Sequence, residues 1–178
     1  AQAMNLLMRG NAFLYYGEEL GMKGAGIDEN KRAPMYWTTD LDALGMCDGP
    51  VYMDPVKMKF GSLEEQEAEE ASIYQYVKKV IQIRNTLPEI ARGEVEYLES
   101  VSNEAICVLR KTYEGSQIVL LYNLSAEAVT VDLTLIDVNN QTVSSLEHPS
   151  AELYTGIEEA ILQDGMLTLP AYSVLLYQ

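Results

Sequence analysis

Residues 10–22 read GNAFLYYGEELGM, an apolar burst held between Gly10 and Gly17 and followed at once by two adjacent glutamates. The run over 12–16 has no alternating wet face and is too short for a buried helix. It is therefore expected to be a strand covered on both faces, as in a parallel sheet. Glu18 and Glu19 would then lie just past the strand's C-terminal end. The residues upstream, AQAMNLLMRG, place Met4, Leu7 and Met8 at helical spacing without an initiator Met or a cap. The chain is accordingly expected to begin inside an element and to be a piece of a longer protein.

Downstream, 21–61 carries Gly, Asp, Pro and Lys with little periodicity and reads as one long excursion, a length usually kept for functional loops. A helix is expected over 62–87. Ser62 and Glu65 have capping-box spacing, and Ile73, Tyr76, Val77, Val80, Ile83 and Leu87 form one stripe that Pro88 ends. Composition changes near residue 92. Residues 1–91 hold 14 acids against 9 bases, whereas 92–178 hold 13 against 3 and are rich in short Val, Leu, Ile and Thr runs. Two domains, 1–91 and 92–178, are expected. In the second, 105–112, 116–125, 128–135 and 173–177 read as antiparallel strands, with Gly115 and Asn139-Asn140 as turns. The stretch 118–122 is apolar throughout and should be central, and in 128–135 Val and Leu alternate with Thr and Asp. A small β-sandwich fits both patterns.

The totals exclude several functions. With 27 Asp and Glu against 12 Lys and Arg, a formal net charge of -15, the surface repels a phosphate backbone, so no nucleic-acid partner is expected. No apolar run approaches the ~18 residues of a membrane span. Cys47 and Cys107 have no second Cys or His nearby, which excludes a zinc motif.

The order GNAFLYYGEELGM, DENKRAPMYW, IYQYVKKVIQIRNTLPEIARG, then IVLLYNLS and the closing LPAYSVLLY resembles the α-amylase family, glycoside hydrolase family 13, over nearly the whole chain. The resemblance implies an α+β fragment: the final strand and helices of a (β/α)8 barrel, followed by the antiparallel β-sandwich called domain C. Residues 1–9 would match the end of the seventh barrel helix, 12–16 the eighth strand and 62–87 the eighth helix. It also implies a parent enzyme that cleaves α-linked glucans with retention. The family's nucleophile, acid/base and stabilising carboxylates lie on the fourth, fifth and seventh strands, which would precede Ala1. No catalytic residue is therefore expected here, and the isolated chain is expected to be inactive. Two alternatives stay open, a non-catalytic carbohydrate-binding or barrel-stabilising module and the scaffold subunit of a pseudoenzyme.

Glu18 and Glu19 are not expected to be a catalytic pair, because such carboxyls face one bond from ~5 to 5.5 Å apart while neighbours leaving a strand diverge. Loop capping is the plainer reading. By resemblance, Arg32 is the candidate substrate contact with Asp28 as its acid, set against an ordinary loop-ordering role. Trp37, the only tryptophan, reads as packing. Asp40, Asp42 and Asp48 with Gly45 partly mimic a calcium loop, but Leu44 and Val51 stand at ligand positions. No cofactor or metal is expected in this chain, and calcium in the parent is implied by the resemblance alone. Asn123-Leu124-Ser125 and Asn140-Gln141-Thr142 match the glycosylation pattern. Expected partners are an α-glucan or maltooligosaccharide for the parent, the remainder of the barrel, and a second copy of the chain, since residues 1–20 must cover their apolar faces against another copy or against the long loop. Localisation stays open between secreted and cytoplasmic.

Overall fold

The computed structural model describes residues 1–55 and 57–178. Its helices are α1 (Gln2–Leu6), α2 (Leu63–Ala68), α3 (Ile73–Thr86) and α4 (Pro88–Arg92). The strands are β1 (Glu94–Tyr97), β2 (Ile106–Tyr113), β3 (Ser116–Asn123), β4 (Val129–Asp132), β5 (Asp137–Val138), β6 (Gln141–Thr142), β7 (Ala151–Leu153), β8 (Ile161–Gln163), β9 (Met166–Leu169) and β10 (Val174–Tyr177). Two units form, Ala1–Ala12 with Lys79–Gln178, and Phe13–Lys78.

In the first unit an antiparallel sheet runs in the order β1-β2-β3-β10-β7, and a second in the order β4-β9-β8. Register explains the core. Val108 pairs with Leu121 and Leu121 with Leu175, while Val119 faces Arg110 and Tyr177. Because side chains alternate along a strand, Ile106, Val108, Val119, Leu121, Leu175 and Tyr177 share one face. That face packs with Val131, Leu167 and Leu169 of the other sheet, and with Leu133 just past β4, in one buried cluster, which makes a β-sandwich. The opposite face of β3 is also covered, with Ile118, Leu120 and Tyr122 buried. Burial on both faces is why 118–122 carries no polar residue, and the strand is central as expected.

Three hairpins close through two residues at positive φ: Glu114 and Gly115, Asn139 and Asn140, and Asp164 and Gly165. This is the turn whose twist matches that of paired strands. The expected strand over 128–135 stops at Asp132, whose carboxylate accepts the Thr134 N–H at 2.9 Å and turns the chain into a short 3-10 segment, Leu133–Leu135. Leu133 is buried and Leu135 is exposed, so the alternation does not carry through.

Two further expectations are corrected. Residues 12–16 form no strand, and Phe13, Tyr15 and Tyr16 are exposed. A parallel strand is held by ladders on either side, and no described residue offers one. The helix expected over 62–87 is two helices. Ser62 and Glu65 do form the capping box of α2, but Glu69 is extended and the chain restarts at α3, where the Ser72 hydroxyl accepts the Gln75 N–H at 3.2 Å. Pro88 both follows the end of α3 and opens α4, where its missing N–H costs nothing.

Candidate functional site

The acids and loop singled out by sequence fall in the unit Phe13–Lys78. Gly17 and Gly21, at φ +87 and +68, bracket a 3-10 turn over Glu18–Leu20. A Cβ on Gly21 would sit 2.6 Å from Ile73 Cδ1 and 2.8 Å from Phe60, so the turn closes only on glycine. Leu20 is buried beneath it. Above it, Glu18 borders a cavity of about 360 Å³ whose wall includes Tyr15, Tyr16, Lys23, Asn30 and Lys31. Glu19 turns elsewhere. Its charge helps to raise the Tyr74 hydroxyl's pKa, after burial and Glu67, and one of its oxygens is buried with no hydrogen-bond partner among the described residues. Adjacent in sequence, the two acids serve different surroundings, as their spacing led one to expect.

The tyrosines have a role that sequence did not give them. The Tyr16 hydroxyl donates to the Ala33 carbonyl at 3.0 Å and the Tyr15 hydroxyl to the Lys31 carbonyl at 3.4 Å, with ring centroids 4.8 Å apart. They tie the apolar run to the DENKR segment. Burial is the main cause raising the Tyr16 hydroxyl's pKa, with Tyr15 adding to it.

Asp28 and Arg32 lie together on the 3-10 turn Asp28–Arg32, with Nη2 of Arg32 3.2 Å from the Asp28 carboxylate and 3.8 Å from Glu29. Lys31 approaches Asp28 at 3.6 Å. Both members of the Asp28–Arg32 pair are mostly exposed, so the pair contributes little stability and leaves a guanidinium accessible from solvent. Between them Asn30 is buried. It donates to the Ala25 carbonyl at 2.8 Å and to the Asp54 carboxylate at 2.7 Å, and accepts the Asp54 N–H at 2.9 Å. This clamp fixes the loop that presents Arg32. The only trace of it in the sequence is the pair Gly24 and Gly26, where a Cβ would crowd Lys31 and Asn30.

Trp37, read as packing, is half exposed, while neighbouring Tyr36 is buried. The main-chain carbonyls of both accept the Leu63 and Glu64 N–H groups at the start of α2. In the acid-rich run, Asp40 accepts the Asp42 N–H at 3.0 Å, and no group of three His, Cys, Asp or Glu among the described residues is placed to hold a metal ion. Asn123 is buried and bonded to the Glu127, Leu169 and Pro170 carbonyls, so its sequon is closed to modification, whereas Asn140 is an exposed turn residue. No helix among the described residues is long and apolar enough to cross a membrane.

Comparison with known proteins identifies relatives of the chain. Residues 1–93 match the family model described as alpha amylase, catalytic domain. Alpha-amylase 3 of Dictyoglomus thermophilum is 28% identical over 125 residues, covering 70% of this chain and 25% of that protein. Alpha-amylase SusG of Bacteroides thetaiotaomicron is 27% identical, covering 88% and 24%. The chain thus spans about a quarter of the length of these relatives. The solved structure of Eubacterium rectale Amy13B superposes with a TM-score of 0.89 at 42% identity, covering 98% of this chain and 32% of that one. With the catalytic-domain model matched over 1–93 of 178 residues, the chain belongs to the α-amylase family.

Proposed function

We propose that this chain is the C-terminal part of a retaining α-glucan hydrolase, in which 1–91 complete the catalytic barrel and 92–178 form the β-sandwich that follows. The carrying observation is a coincidence of boundaries. The catalytic-domain match ends at residue 93, and the antiparallel strands begin at Glu94. Double displacement needs two carboxyls facing one glycosidic bond, and Glu18 and Glu19, with their different surroundings, do not supply them. The nucleophile, the acid/base and the stabilising Asp are assigned to sequence outside these 178 residues. Arg32, with Asp28 beside it, is assigned to the rim, where an exposed guanidinium held by a carboxylate suits hydrogen bonding to sugar hydroxyls. No cofactor is assigned to this chain, and calcium is an expectation for the parent only. The exposed Phe13, Tyr15, Tyr16 and Trp37 support association of the isolated chain with itself.

The test is hydrolysis of starch and maltooligosaccharides. The isolated chain is expected to release no reducing sugar, and real turnover would overturn the assignment. In the longer protein, Arg32→Ala is expected to raise KM while changing the stability of this loop by less than about 1 kcal/mol. An unchanged KM would remove Arg32 from the rim.

A further inference from the structure

Lys111 is fully buried, an unusual place for a lysine. Its Nζ donates to the Leu7 carbonyl, at the C-terminal end of α1, at 2.5 Å and to the Ile90 carbonyl of α4 at 3.0 Å. Arg84 of α3 donates to the neighbouring carbonyls of Leu6 and Met8, at 2.6 and 2.8 Å, and to that of Gly10. Two side chains thereby hold the first ten residues to the C-terminal half of α3, to α4 and to the sheet, and all the residues bonded lie within one unit.

Among the described residues its ammonium meets two main-chain carbonyls and no carboxylate. Register sets the apolar Val95 and Ile118 beside Lys111 and turns Glu94 and Glu96 to the other face of the sheet. α1 contributes no charged side chain, and α4 contributes Glu89, which is buried, and Arg92. None of these carboxylates pairs with Lys111 among the described residues, and Glu96 is taken by Arg110 at 2.9 Å. The neighbouring charge that acts on Lys111 is Arg84, of like sign. We propose that Lys111 is a pH-sensitive joint: buried without a carboxylate partner and beside a second cation, its ammonium is disfavoured, so the attachment of residues 1–10 strengthens as the medium turns alkaline.

Burial, reinforced by Arg84, pushes the Lys111 pKa down to about 8. An unfolded lysine keeps its proton to ~10.4. Between those values the unfolded chain binds more protons than the folded one, so stability rises with pH, by up to about tenfold in the folding equilibrium constant per pH unit. Acids raised by burial oppose this from above, among them the hydroxyls of Tyr16, Tyr36, Tyr74 and Tyr154. Tyr76 and Tyr177, pushed up to about 12, and the Cys107 thiol, raised by burial, all ionise first in the unfolded chain.

The experiment compares urea unfolding of the full chain and of its Lys111→Met variant from pH 7 to 10, so that the opposing groups cancel in the difference. The wild-type advantage over the variant is expected to grow between pH 8 and 10. In parallel, the Lys111 ε-carbon resonance of the wild-type chain is titrated, with a midpoint near 8 expected. A pH-independent difference, or a Lys111 midpoint at the ordinary lysine value of ~10.4, would overturn the proposal. If the Met variant does not fold, the resonance alone decides.

Discussion

Asn30 shows how a neutral residue comes to govern a charged segment. In DENKR the charges draw attention, and the resemblance put Arg32 and Asp28 forward. The structure brings those two within 3.2 Å on the same short turn, yet leaves both largely in water. The residue between them is the buried one, with three hydrogen bonds reaching Ala25 and Asp54. Removing its amide leaves the Asp54 N–H and the Ala25 carbonyl without their partner. Asn30→Ala is expected to cost about 1–3 kcal/mol in urea unfolding and to speed hydrogen exchange around residues 24–33. An unchanged exchange pattern would show that the loop is held by other means. Beyond Gly24 and Gly26 the sequence carries little sign of this clamp, because Asn30 and Asp54 lie 24 positions apart with no periodic element linking them.

At the scale of elements, legibility followed burial. The stretch 118–122 was readable because a strand covered on both faces has no room for a polar side chain, and Gly115 and Asn139-Asn140 were readable because paired positive φ values favour glycine and asparagine. Short strands such as β7 and β8 escaped notice, since three residues carry no period. The helix break before α3 escaped too, because 69–72 contain neither Gly nor Pro. What divides the helix is Gln66, buried, whose amide donates to the Leu20 and Gly61 carbonyls at 3.0 and 3.3 Å and accepts the Tyr74 N–H at 3.1 Å. A side chain that serves the start of α3 as well as two loop carbonyls holds α2 and α3 apart as separate helices. Gln66→Leu is expected to destabilise by about 1–3 kcal/mol for each buried group left unpaired. Lowered protection of the Tyr74 amide in hydrogen exchange would identify the cause, and a variant as stable as wild type would refute it.

Across the molecule, the run that suggested a barrel strand stands out for what its surroundings leave uncovered. Residues 12–16 have strand composition without a ladder, and their aromatic side chains stand open to solvent. Hydroxyl bonds to Lys31 and Ala33 anchor the two tyrosines but leave Phe13 82% exposed. Light scattering of the isolated chain is expected to show mass rising with concentration, and Phe13→Ser is expected to weaken that rise. A monodisperse monomer at high concentration would contradict it. The sandwich needed no such help. Its core residues come from one continuous stretch, which is why its class was plain from the alternation and turns alone.

β10 comes last in the chain and yet lies between β3 and β7, with all four residues buried. Deleting 174–178 would therefore part β7 from β3 and bare hydrogen-bonding rims on both sides of the gap. A loss of five residues would thereby strand β7 and leave β3, the middle strand of five, with an open edge.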